Sequence, residues 1–481
     1  MAALARDTAD GPALLLGAPW RLEGKTYNAA LLLEGGAVIG KSWKHDLPNY
    51  ACYDEKRVFA AGPLPEPLVW RGLRLGVMIC EDMWKPPVTR HLRHKAAQLL
   101  VVLNGSPFET DKRTIRHAVA RERVRESGLP LVYVNQYGGQ DELVFDGASF
   151  VMDAAGELCA EAEAWTETLL SVTCAVREEG IQPQAAPVME ASPHEESVYN
   201  ALVTGLRDYV TKNGFAHVLL GLSGGIDSAL VAAIAVDALG PDKVQAVMMP
   251  SPYTSADSLR DAAACAAALG CRLDNLAITP AMLAFDEALK PLFAGKARDI
   301  TEENIQARCR GVLLMALSNK GGGMVLATGN KSEMAVGYAT LYGDMCGGYA
   351  PLKDVYKTEV YRLARWRNAH KPRRGLGPSG VVVAETILTK APTAELRPNQ
   401  TDQDSLPPYD TLDAILACLI EGDGGMAACV AAGHDKATAA RVWRMLDRAE
   451  YKRRQSPPGP KITRRHLGRE RRYPITNRYT E

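Results

Sequence analysis

The chain has no excess of either charge: Lys and Arg together number 56, Asp and Glu also 56. That balance argues against a general binder of nucleic acid or of a membrane surface. No apolar run approaches the length needed to span a bilayer, and the opening MAALARDTADG lacks the charged-then-apolar pattern of a signal segment. The ten cysteines contain no C-x-x-C pair and no even framework of close spacings, so reduced thiols in a cytoplasm are expected. No internal repeat is present. The one local imbalance is the basic tail, EYKRRQ and KITRRHLGRERRY, for which a solvated charged face is the plain reading.

What is there has two textures. At 481 residues the chain should hold at least two domains, each with its own core. From residue 11 to about 175, short strand-like runs such as AALLLEGGAVIGK, GLRLGVMI, AQLLVVLN and LPLVYVN alternate with turns. A single amphipathic helix, 112–127, lies among them, and the pattern predicts a mixed α/β sandwich. Residues 178–197, Pro-rich and acidic, read as a linker. From 198 onward strands and helices alternate, which predicts a parallel sheet covered by helices, with ligands at the C-terminal strand ends. The expected division is therefore 1–177, a linker at 178–197, and 198–481.

The second half contains GLSGGIDSALVAAI, 221–234, a strand–turn–helix corner built from serine, glycine and aspartate. Glycines let backbone N–H groups approach a ligand, and a helix N-terminus favours negative charge, so the corner suits an anion. It lacks the spacing and the lysine of a Walker loop. Instead Ser223-Gly224-Gly225-Ile226-Asp227-Ser228 resembles the S-G-G-x-D-S signature of the ATP pyrophosphatase superfamily, which cuts ATP between the α- and β-phosphates. Further segments follow in order: TEENIQARCRG, LATGNKSE, GYATLYGD, TKAPTAEL and EYKR. Together they resemble NAD⁺ synthetase over essentially all of 198–481.

That resemblance implies roles position by position. Asp227 and Glu333 would hold Mg²⁺. The loop Gly221, Leu222, Ser223, Gly224, Gly225, Ile226, Asp227 and Ser228, with Thr328, Lys357 and Thr393, would bind ATP. Asn304, Arg308, Glu333, Tyr338, Ala339, Thr340, Leu341 and Lys452 would contact deamido-NAD⁺. Its carboxylate would be adenylated, pyrophosphate would leave, and ammonia would displace AMP.

In the first half, GLRLGVMICEDMW places Cys80 at the end of an apolar strand, and KSWKHDLPNYACYDEKRVF places Lys44 ahead of L-P-N-Y. Alone, a strand-end cysteine is more often a packing residue. With LNGSPF also present, the set resembles the nitrilase superfamily, specifically the glutamine amidotransferase domain fused to NAD⁺ synthetase. That family uses a Glu–Lys–Cys triad, so Cys80 would be the nucleophile and Lys44 would stabilise the tetrahedral intermediate. Tyr50, Ser106 and Lys112 would contact glutamine.

The family's general-base glutamate lies in a P-E-L motif well before the lysine, and here Met1 falls after it. Glu23 and Glu34 sit in a turn and a hairpin. The expected fold is thus α/β: a truncated nitrilase-like α-β-β-α sandwich, then a parallel-sheet ATP pyrophosphatase domain of the adenine nucleotide α-hydrolase-like kind. The expected activity is glutamine-dependent NAD⁺ synthesis with impaired glutamine use, the alternative being an ammonia-only enzyme with an inactive assembly domain. Small-molecule substrates, no nucleic acid or membrane partner, and a homo-oligomer complete the expectations.

Overall fold

The computed structural model describes residues 1–178 and 180–477. Two compact units emerge: Met1–Gly138 with Phe145–Ser192, and Gly139–Val144 with Pro193–Glu481.

In the first unit, α1 (Ala2–Arg6) precedes an antiparallel meander of β1 (Leu14–Leu22), β2 (Lys25–Glu34) and β3 (Ala37–Trp43). Then come β4 (Leu68–Trp70), β5 (Leu73–Ile79), α2 (Glu81–Trp84), α3 (Pro86–His94), β6 (Leu99–Asn104), α4 (Lys112–Ser127) and β7 (Leu131–Asn135). After the ribbon β8 (Tyr137–Gln140) and β9 (Leu143–Asp146), whose residues Gly139–Val144 belong to the second unit, come β10 (Phe150–Met152) and β11 (Leu158–Glu161). A six-stranded sheet runs in the order β11-β10-β7-β6-β5-β4, with β5, β6 and β7 parallel.

Strand alternation explains why these runs are apolar throughout. On one face Met78, Leu100, Val102 and Leu131 pack with Val88 and Leu92 of α3 and Ala120 and Val124 of α4. On the other, Val77, Ile79, Leu99 and Leu103 meet Ala30 of β2 and Leu15 of β1. A sheet buried on both faces needs apolar residues at every position, not at every second one. Each fully buried aliphatic side chain here contributes about 1.5–3 kcal/mol. The helix expected at 112–127 is α4; the short α2 and α3, between GLRLGVMI and AQLLVVLN, go beyond the sequence pattern.

The segment read as a linker carries more order than its composition suggests. β12 (Cys174–Arg177) pairs with β13 (Gly180–Pro183), and α5 (His194–Lys212) starts inside it. Proline at position 183 ends a strand and Pro193 precedes a helix, where a missing N–H costs nothing.

The second unit is built on a parallel sheet of order β16-β15-β14-β17. Its strands are β14 (Val218–Gly221), β15 (Val244–Met248), β16 (Arg272–Asn275) and β17 (Met324–Leu326). The helices α6 (Ile226–Leu239), α7 (Ala256–Leu269), α8 (Thr279–Phe293) and α9 (Ile300–Gly321) separate or follow these strands. Apart from Asp227, every residue of α6 is buried, which is why its sequence is apolar all round. After β17 come α10 (Lys331–Val336) and α11 (Lys357–Ala369). Farther on, Tyr409–Ile420 and Lys436–Arg448 pack against Ala335 and Val336 through Leu412, Leu416, Val442 and Leu446.

The basic tail departs in part from the solvated reading. Lys461 and His466 are each only 2% exposed, and the N–H groups of Ile462 and Thr463 both donate to Asp354 at 2.7 Å. Arg464, Arg469 and Arg472 stay exposed, so the solvated reading holds for them and fails for Lys461 and His466.

Candidate functional site

Where β14 ends, the chain turns through the glycine-rich loop into the N-terminus of α6, and this corner forms one wall of a cleft. Gly224 has φ +81, and a Cβ there would stand 2.3 Å from the Ser258 carbonyl oxygen, so only glycine fits. The two loop serines shape the turn. The Ser228 hydroxyl accepts from Ser223 N–H at 3.2 Å and donates to the Gly225 carbonyl at 3.0 Å. The Ser223 hydroxyl accepts from Gly225 N–H at 3.2 Å.

Asp227, in the first turn of α6, meets residues from two other elements. Asn330 caps α10 by accepting from Glu333 N–H at 3.0 Å, and its amide donates to Asp227 Oδ1 at 2.8 Å. Lys357, the first residue of α11, sends Nζ between Asp227 Oδ2 and Glu333 Oε1, the latter at 3.2 Å. Burial raises the Glu333 carboxyl above its ordinary range; Lys357 opposes this and Asp227 adds to it. Burial alone would lower Lys357, but the two carboxylates outweigh it and hold the ammonium charged. Below them, Ser332 Oγ accepts Lys357 N–H at 2.8 Å and donates to Asp413 at 2.5 Å.

All the positions assigned to ATP line this cleft: Gly221 through Ser228, Thr328, Lys357 and Thr393. Val247, Met248, Met249 and Pro250, at the end of β15, add an apolar wall. Of the residues assigned to deamido-NAD⁺, Glu333, Tyr338 and Ala339 line it too. The others gather around one neighbouring segment. Thr340 donates through Oγ1 to Asn304 at 2.9 Å, Arg308 Nε donates to the Leu341 carbonyl at 3.2 Å, and Lys452 Nζ donates to the carbonyls of Gly337 and Ala339. Asn304 and Arg308, four apart on α9, do share a face.

The cleft also holds groups that the motifs do not single out. Asp402 lies beside Lys357 and Asp227, raised by burial, and accepts from the Tyr409 hydroxyl at 2.8 Å. Lys390 and Glu395 pair at 3.0 Å. Both flank Thr393 in the TKAPTAEL stretch, where their opposite charges, five apart, are the available signal.

A second cluster lies in the first unit. Cys80 follows β5 with φ +48 and ψ −98, a conformation few non-glycine residues adopt. Burial pushes its thiol up to about 11, against the pull of Lys44, so at neutral pH it is protonated and needs a base. Lys44, 1% exposed, donates to Glu55 Oε1 at 2.8 Å. Glu55 Oε2 is buried with no hydrogen-bond partner among the described residues. Sequence alone does not reveal Glu55, because the D-E-K-R stretch reads as a solvated charge run. The Tyr50 hydroxyl donates to both oxygens of Glu81, next to Cys80. Ser106 is buried with its hydroxyl accepting from Arg116 at 3.1 Å, and Lys112 is engaged by Glu109 and the Trp84 ring. The structure thus places Cys80 within electrostatic reach of Lys44 and brings Tyr50 to its neighbour Glu81, while Ser106 and Lys112 contact Arg116, Glu109 and Trp84.

Comparison with known proteins matches both units. Residues 1–180 match the carbon–nitrogen hydrolase family and residues 198–456 the NAD synthase family. A glutamine-dependent NAD⁺ synthetase of Rhodobacter capsulatus is 50% identical over 100% of this chain and 87% of its own length. That of Thermotoga maritima is 44% identical over 95% of this chain and 83% of its own. The solved structure of the Acinetobacter baumannii enzyme, in complex with ADP, superposes with a TM-score of 0.76 at 44% identity, covering 99% of this chain and 86% of that one. With a nucleotide-loop cleft in one unit and a buried cysteine–lysine pair in the other, the chain belongs to the glutamine-dependent NAD⁺ synthetases.

Proposed function

We propose that the second unit amidates deamido-NAD⁺ to NAD⁺ at the expense of ATP, through an acyl-adenylate, while the first unit hydrolyses glutamine to supply the ammonia. The convergence of Asp227 and Glu333 on Lys357 beside the glycine-rich loop carries this reading. ADP in the Acinetobacter baumannii relative supports an adenine nucleotide in the cleft.

Each residue then has a task. The loop N–H groups and the α6 N-terminus bind phosphate oxygens. Lys357, held charged, neutralises the phosphates as pyrophosphate departs. Arg308 and Lys452, through the 338–341 segment, orient deamido-NAD⁺, with Asn304 and Thr340 fixing that segment's shape. Asp227 and Glu333 suit Mg²⁺: their carboxylates converge on one cation, the Lys357 ammonium, and Mg²⁺ is commonly held by one or two carboxylates plus substrate phosphates. Bound there, the ion would screen the charge developing on pyrophosphate.

In the first unit Cys80 attacks the glutamine amide carbon and Lys44 stabilises the oxyanion. Glu55 fixes Lys44, and its free Oε2 is able to take up a proton. The expectation of impaired glutamine use rests on the missing P-E-L glutamate; Glu55, an electrostatic neighbour of Cys80, is the carboxylate we assign in its stead, and the glutamine-dependent relatives disfavour the ammonia-only alternative.

Association of two copies would cover the apolar side chains that α8 and α9 leave exposed, among them Leu283, Leu292, Ile300 and Val312. A single species at the monomer mass in analytical ultracentrifugation would exclude it. No described helix is long and apolar enough to cross a membrane, and free thiols fit the cytoplasm we propose.

Parallel assays with ammonium and with glutamine test the whole reading. NAD⁺, AMP and pyrophosphate should form with either donor. Cys80→Ala should abolish the glutamine-driven reaction and spare the ammonium-driven one. Loss of both, in a soluble variant, would reject the division of labour.

A further inference from the structure

Two carboxylates directly follow Cys80, and neither has a task in the reaction above. Asp82 is 1% exposed. Its Oδ2 accepts the N–H of Ile79 at 3.0 Å, the last residue before the nucleophile. Its Oδ1 accepts the N–H groups of His45 at 3.1 Å and Asp46 at 2.8 Å, the two residues after Lys44. One buried carboxylate therefore joins the cysteine's strand end to the lysine's loop. Glu81 holds the far end of that loop, where both its oxygens accept from the Tyr50 hydroxyl at 3.0 and 2.9 Å. Cys80 itself sits in a strained backbone conformation, which persists only where its surroundings over-determine it.

We infer that Asp82 and Glu81 are positioning residues of the glutaminase: Asp82 sets Cys80 against Lys44, and Glu81 sets Tyr50 at the substrate side. This rests on the reading of Cys80 and Lys44 as the reacting pair. Three backbone donors and the Lys44 charge favour ionised Asp82, although burial leads and pushes the carboxyl up to about 6. No hydroxyl or amide could replace it, because an amide would turn a donor toward one of three N–H groups. The two carboxylates should act on different kinetic constants, since one aligns reacting groups and the other a binding contact.

The test uses the full chain with both nitrogen donors. Asp82→Asn should lower kcat for glutamine about 100-fold, the scale of a 1 Å misplacement, with KM little changed. It should also slow iodoacetamide alkylation of Cys80, while ammonium-driven synthesis keeps the parent rate. Glu81→Ala and Tyr50→Phe should each raise the glutamine KM about tenfold, and the double variant no further, as coupled residues are not additive. Tyr50 is half-exposed, so Tyr50→Phe still tests the Glu81 contact where Asp82→Asn fails to fold. Parent glutamine kinetics in Asp82→Asn, or additive effects of Glu81→Ala and Tyr50→Phe, would overturn the inference. Glutamine use surviving Cys80→Ala would instead overturn the reading beneath it.

Discussion

Single side chains decide the chemistry where they are placed against charge. Lys357 is nearly buried yet charged, because Asp227 and Glu333 face it. Removing one carboxylate leaves the Lys357 ammonium with a single charged partner and misplaces it. Asp227→Ala or Glu333→Ala should cut NAD⁺ synthesis roughly 10²–10³-fold with either nitrogen donor. Pyrophosphate release followed under saturating ATP checks this; a rate close to the parent's would remove that residue from the site. Glu55 belongs to the same scale. Glu55→Gln keeps the shape but loses the charge beside Lys44, and glutamine-driven turnover should fall by roughly 10²–10⁴, as for loss of a positioned acid–base group. Ammonium-driven turnover should not change.

Elements place those side chains. The glycine-rich turn exists because β14 runs straight into α6 over the Ser258 carbonyl, with 2.3 Å where a Cβ would lie. Gly224→Ala should therefore push the loop off Ser258 and raise the ATP KM. Its backbone, at φ +81, adds strain of order 1–3 kcal/mol. Isothermal titration with a non-hydrolysable ATP analogue checks it, and undiminished affinity would mean the loop does not hold the phosphates. A second element, 337–341, is held by Lys452, Arg308 and Asn304 together. Arg308→Ala and Lys452→Ala should raise the KM for deamido-NAD⁺ far more than that for ATP; a charge-assisted hydrogen bond is typically worth about 1.5–3 kcal/mol. Equal effects on both substrates would place these residues on the wrong ligand.

At the scale of the whole molecule the C-terminal segment matters for stability. His466, 2% exposed, has its imidazole pushed down to about 4 by burial, with Asp354 and Glu142 pulling it back. The unfolded chain takes up that proton near 6.5, so stability is full above 6.5 and falls as pH drops toward 4. The loss from this one group amounts to about 3 kcal/mol. Urea unfolding at pH 7 and pH 4 should show a smaller difference for His466→Gln than for the parent. An equal difference would show that His466 is not the group titrating. Much of the architecture is legible in the sequence. The alternating strand–helix rhythm predicts the parallel sheet, and S-G-G-x-D-S with Lys44 and Cys80 points to both sites, because local geometry depends on neighbours in sequence. The roles of Glu55, Asp82 and Asp402 and the burial of Lys461 and His466 are not legible. A carboxylate in D-E-K-R looks the same solvated or bonded to a buried lysine, and only packing supplies the partner. Residue type and spacing thus determined which elements form and which chemistry they can carry. Tertiary structure alone decided which charges are desolvated together, since Lys357 lies 130 residues from Asp227, and Lys44 is 1% exposed only once the sheets close over it.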